Sequence, residues 1–165
     1  MAIQAMPNLV ASDGTTAQAE IGAIYVSSYG TTYMYCKATA ATIAAYSACS
    51  GASPAAMEEA TNTTATALGT AGGFFCAPQF AVAASEYFWA PVGPWYLSWD
   101  GVTKIKVLAT NASAGALLYS TATDGVLDDA SGGGAVALIG AVLTETVTTA
   151  EAADTVAFRR VGWTN

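Results

Sequence analysis

The chain has no histidine and few charges of either sign, with five Lys and Arg against twelve Asp and Glu in 165 residues. Without an imidazole there is no Ser-His-Asp or Cys-His nucleophile, no His-ligated zinc and no ordinary imidazole acid–base chemistry. The five cations are Lys37, Lys104, Lys106, Arg159 and Arg160, and the net charge is −7. Nucleic-acid binding rests on cations neutralising phosphates, so it is not expected here. Long unbroken apolar runs are also missing. The richest stretch, residues 71–99, is interrupted by Pro78, Gln79, Glu86, Pro91 and Pro94, and the run 135–143 is short and split by Gly140. A spanning helix needs about 20 mostly apolar residues, so no membrane partner is expected. Residues 1–13 have neither a basic residue nor the apolar stretch of a signal peptide. Cysteine is scarce too. Cys36, Cys49 and Cys76 are an odd number without CxxC spacing. They read as small buried hydrophobes of a reducing compartment rather than a disulfide set.

The carboxylates fall in no catalytic or metal-binding pattern. Asp124, Asp128 and Asp129 lie close together, but the D-x-D-x-D-G alternation of an EF-hand loop is missing, so they read as a solvated turn rather than a calcium loop. Glu58 and Glu59 are adjacent and would diverge on a helix, so they cannot flank a glycosidic bond together. Glu86 stands beside Tyr87, Phe88 and Trp89, where core or interface packing is favoured over a sugar platform. Gly132, Gly133 and Gly134 lack the lysine and strand–helix context of a phosphate loop and read as a hinge. No enzyme activity, cofactor or metal is expected.

What is present is apolar. Hydrophobic residues make up 53% and charged residues 10%, against roughly 25% charged in an ordinary soluble domain. So few charges cannot dress an isolated globule in the usual way. Part of the surface is then covered by Thr, Ser, Asn and Gly, and part by other protein chains. The aromatics between residues 74 and 99 exceed what one small core needs, and interface centres are enriched in such side chains. Phe88, Trp89, Trp95, Tyr96 and Trp99 are the candidate interface residues. Lys104 and Lys106 join them as cations able to dock on an acidic partner.

Residues 1–20 show no sustained period and read as an extended N-terminal arm, either frayed or ordered only against a neighbour. From residue 21 a single β-rich domain runs to residue 165. Residues 21–26 and 31–37 are short Tyr-, Val- and Thr-rich runs separated by Ser28-Tyr29-Gly30, a hairpin signature. Residues 38–50 suggest a loop and a short strand. Ser53-Pro54 can cap a helix whose first turns hold Met57, Glu58 and Glu59, at the start of an Ala/Thr/Gly-rich insertion near 51–73. Asp100-Gly101 is a tight-turn pair ahead of a strand at 102–108, in which Lys104 and Lys106 alternate with Ile105 and Val107. Further strands are expected at 116–120, 135–143 and 155–161, with 124–127 continuing the pattern. Residues 22–39 and 93–110 also align without a gap, matching at Gly22/Gly93, Tyr25/Tyr96, Ser27/Ser98 and Gly30/Gly101. Two such hairpins favour a compact barrel or sandwich over a solenoid. The fold expected is therefore mainly β: an antiparallel β-barrel or sandwich with an extended N-terminal arm and at most one or two short helices.

Four stretches carry a family resemblance. Tyr87 to Trp89, the run AGALLYSTATDGVLDD at 114–129 and the strand IGAVL at 139–143 resemble a pattern of small virion proteins of tailed phages, and GAIYVSSYGTTYMYCKAT at 22–39 is similar to their opening strands. The resemblance spans about residues 20–161, and the insertion near 51–73 departs from it. It implies a capsid decoration (cement) protein, often a homotrimer, bound to the major capsid protein on the capsid exterior. A head-fibre or tail component of the virion is the alternative it leaves open. A carbohydrate-binding module with Trp89, Trp95 and Trp99 as its platform is the alternative from another class.

Overall fold

The computed structural model describes residues 7–28, 31–39, 41–61, 74–93, 104–108, 113–130, 132–143, 146–147 and 152–158. Among these residues the chain is built of strands and turns, in two sheets, with no helix. The strands are β1 (Ile24–Val26), β2 (Thr32–Lys37), β3 (Cys49–Gly51), β4 (Glu58–Glu59), β5 (Phe74–Cys76), β6 (Tyr87–Gly93), β7 (Lys104–Val107), β8 (Leu117–Ser120), β9 (Leu127–Asp128), β10 (Ala137–Leu143) and β11 (Ala152–Phe158). The first six form one sheet in the order β1-β2-β6-β5-β3-β4, and the last five close into a barrel in the order β10-β11-β7-β9-β8. The mainly β expectation is met by a sheet and a barrel together.

The six-stranded sheet turns on β6. Tyr87 to Pro91 pair with β2, while Val92 and Gly93 pair with β5. Pro91, which has no N–H to donate, sits where the strand changes partner, a position that tolerates proline. Its carbonyl accepts from Ala77 N at 3.1 Å. The sheet folds over at this strand, because Cys36 on β2 and Cys76 on β5 pack in one core although β6 lies between them. Inside the fold lies a core of Met34, Cys36, Cys49, Cys76, Phe88 and Val92, closed by Ile43, Met57 and Val82 from the connecting loops. Period-two alternation sends Tyr33, Tyr35 and Trp89 to the opposite face.

The barrel's core is made differently. Ile105, Val107, Leu118, Leu127, Leu143 and Val147 pack with Ala48, Ala60, Phe75 and Ala77 from the sheet side. Backbone bonds seal the junction: Lys106 N donates to Tyr46 O at 2.9 Å, Ala48 N to Gly125 O at 2.9 Å, and Gly125 N to Ala60 O at 3.0 Å. Tyr46 holds φ of 63°, a costly setting for a bulky residue. It is held there because its N–H donates to Pro78 O at 2.8 Å while its carbonyl serves Lys106. Gly125 also has positive φ, and a Cβ there would lie 2.6 Å from the Ser47 side chain. Only glycine fits.

Several local expectations change. The helix capped by Ser53 does not form. Ala56 N donates to Ser53 O at 3.1 Å in a single turn, and Glu58 and Glu59 pair with β3 instead. Cross-strand pairing outweighs a weak helical start that has no apolar stripe behind it. The residues on either side of Asp100-Gly101, 94–103, lie outside the described residues; the nearest strands are β6, between β2 and β5, and β7, between β11 and β9. The turn itself and most of the second repeat copy fall outside the described residues. The last strand begins at Ala152, three residues before the expected start at Thr155. The alternation in β7 is as read, with Lys104 exposed and Ile105 and Val107 buried.

Candidate interaction surface

The aromatic ladder is built from β2 and β6. Tyr35 pairs with Trp89, and their ring centroids are 5.0 Å apart; Tyr35 also stacks on Tyr87 at 5.8 Å. Tyr25 on β1 lies 6.4 Å from Trp89 and 6.2 Å from Tyr33, and Lys37 Nζ is 5.1 Å above the Tyr87 ring. This face is covered by the chain's own N-terminal segment. Asp13 N donates to Tyr87 O at 2.8 Å, Tyr87 N to Gly14 O at 2.9 Å, Gln18 N to the Tyr35 hydroxyl at 2.9 Å, and Ser12 Oγ to Glu86 Oε2 at 2.6 Å. Residues 12–18 are thus fastened to their own sheet. Burial first, with the Asp13 carboxylate adding to it, raises the Tyr35 phenol above its ordinary value despite the lowering bond from Gln18.

The candidate interface residues part company. Phe88 is fully buried and Trp89 is 3% exposed. Both are consumed by the chain's own packing, so neither presents a side chain to a partner, and Trp89 cannot serve as a sugar platform. Alternation along β6 places them on opposite faces, each already covered. Trp95, Tyr96 and Trp99 lie outside the described residues. Lys104 is exposed at the start of β7 and Lys106 half-buried. Gln79 grips the Lys104 backbone from the sheet side, accepting from its N–H at 2.9 Å and donating to its carbonyl at 3.0 Å.

What the sequence reading missed is the outermost strand. Among the described residues the exposed large apolar side chains are Val10, Ile21, Ile24 and Val26, and the last two are 40% and 58% exposed. Three of the four lie on or beside β1. The available signal was an Ile-x-Val alternation with no charge from residue 21 to 28. The hairpin was legible from it, but not which side of the hairpin remains open. The opposite edge is β4, whose two residues are Glu58 and Glu59. Glu59 accepts from Ala44 N at 2.8 Å and Ser47 Oγ at 2.7 Å, pinning the loop that meets the barrel.

The three cysteines are free and buried. Cys36 Sγ donates to Met34 O and Cys49 Sγ to Ser47 O. Burial pushes both thiols well above their usual value, which keeps them protonated and unreactive. Among the described residues no group of three or more His, Cys, Asp and Glu is placed to hold a metal ion. Asp128 is half-buried and Asp124 and Asp129 are exposed; slight burial, then the neighbouring Asp128, push the Asp129 carboxyl up.

No protein-family model matches this chain, no curated protein matches it, and no solved structure matches it.

Proposed function

We propose that the chain is a non-enzymatic structural protein of a tailed-phage virion, a decoration protein that binds the outside of the head and braces neighbouring major capsid subunits. One observation carries the reading most directly. In a chain with very few charges, three of the four exposed bulky apolar side chains among the described residues, Ile21, Ile24 and Val26, gather at one open, uncharged sheet edge. Such an edge is a site for strand addition, in which main-chain bonds give affinity and alternate side chains give fit. The resemblance of residues 20–161 to small virion proteins supports the same reading. Lys104, exposed at one end of the barrel, would contribute contacts to an acidic shell together with Lys106.

The test mixes the purified chain with empty heads of the phage that encodes it, followed by sedimentation and imaging. Saturable occupancy at repeated lattice positions is expected. Binding confined to tails would move the chain to the tail component, and no binding to any virion part would end the reading. Lys104→Glu with Lys106→Glu should lower occupancy; unchanged occupancy would remove those lysines from the docking surface.

A further inference from the structure

We infer that β1 is a self-recognition edge, at which two copies of this chain pair antiparallel about a two-fold axis through Tyr25. The backbone pattern leads there. Tyr35 N donates to Ala23 O and Ser27 N to Thr31 O, each at 2.9 Å. In the register Ile24↔Met34, Tyr25↔Tyr33, Val26↔Thr32, these bonds flank the 24/34 and 26/32 pairs. Tyr25 therefore exchanges bonds with Tyr33, and the N–H and C=O groups of Ile24 and Val26 point away from β2. Beyond them, among the described residues, no further strand lies in the sheet. Groups in that arrangement are a template for another extended backbone.

The occupant follows from register and charge. A second β1 laid antiparallel sets Ile24 of one copy against Val26 of the other, twice, so that four backbone bonds close at once. The same side chains then meet in one apolar patch, Ile24 against Val26 from both copies. Tyr25 falls opposite its own counterpart on the other face. Self-complementarity of this kind is what a two-fold interface demands. Each chain carries a net charge of −7, so two copies repel except where they can meet without carboxylates. Residues 21–28 contain no charged side chain, whereas the other sheet edge consists of Glu58 and Glu59. Natural edge strands are commonly protected by a lysine, a proline or a bulge; Ile24–Val26 has neither lysine nor proline, and the bulge of Gly22 and Ala23 opposite Tyr35 lies just before it. The inference gives to a second copy the edge that the capsid reading offers to a capsid strand, and it places a two-fold pair where the family resemblance implies a trimer.

The experiment is sedimentation equilibrium on the full chain and its variants. Wild type should dimerise weakly, with a Kd on the order of 10 µM, as short interfaces do. Ile24→Lys with Val26→Lys sets lysine against lysine in both pairs and should weaken association at least tenfold. Ile24→Glu with Val26→Glu should do the same, and an equimolar mixture of the two variants should restore a dimer. That restoration excludes misfolding as the cause. Tyr25→Cys, oxidised with glutathione disulfide, should cross-link two copies, since Cα atoms at such a pair lie ~4.5 Å apart, within disulfide reach. A monomeric wild type, a trimer whose mass the lysine variant leaves unchanged, or lysine and glutamate variants that stay apart when mixed would each overturn the inference. A monomer that still saturates phage heads, and loses them in the lysine variant, would assign the edge to a capsid strand instead.

Discussion

The six-stranded sheet and the five-stranded barrel bury their side chains by different means. The sheet folds over at β6 and encloses a core drawn from its own strands and loops. The barrel closes around a core in which Ala48, Ala60, Phe75 and Ala77 come from the other part of the chain. A ring of five short strands leaves little apolar area inside, and small cores are marginal. The core inside the sheet's fold, by contrast, takes no side chain from the barrel, which makes the sheet the more self-sufficient half. Its neighbour is stabilised through the junction.

From this asymmetry the largest effect should come from Phe75, which packs in the barrel core from a sheet strand and is 2% exposed. Phe75→Ala should cost about 3–5 kcal/mol in urea denaturation. Labelling of the three buried cysteines, all in the sheet's half, should lag behind the loss of the barrel. Thiols labelled in step with a single transition would show that the sheet does not stand without the barrel. Next in size is Gly125→Ala. The left-handed φ and the approach to Ser47 together should destabilise by about 2–4 kcal/mol, although the substitution adds a single methyl group. A loss below about 1 kcal/mol would mean that the junction yields easily and that the barrel does not depend on it.

A smaller effect is expected at Gln79, whose amide joins the Ala77 and Lys104 backbones. Gln79→Ala should cost about 1 kcal/mol, since the freed groups of Lys104 are near solvent. The smallest concerns the latch of residues 12–18. The Tyr35 phenol is held protonated above its ordinary range, so its contribution is present below about pH 10. It is lost as pH rises through the raised folded value, because the unfolded chain ionises first. Tyr35→Phe should flatten this part of the alkaline decline in stability, measured by thermal melting from pH 8 to 11. An unchanged profile would show that burial of the Tyr35 phenol does not set the alkaline decline.

How much was legible varies from residue to residue for physical reasons. The Lys104–Val107 alternation announced a half-buried strand because period two is a property of the strand itself. The Ile24 to Lys37 hairpin was legible because its partners are close in sequence. Ser53-Pro54 misled, because a capping pair is a local preference and Glu58 and Glu59 found backbone partners on β3. Phe88 and Trp89 misled in another way. Aromatic crowding shows that large area must be buried, but not whether the chain's own sheet or a neighbour covers it.

The sequence by itself determined that the chain is β-rich and poor in charge, has no imidazole chemistry, and keeps its thiols as core residues. Those are consequences of residue type and short-range period. Only the tertiary structure decided which strand stands at the open edge, where β6 changes partners, and that the barrel closes over side chains from a distant segment. Each depends on pairings between residues far apart in the chain, and no local preference encodes those.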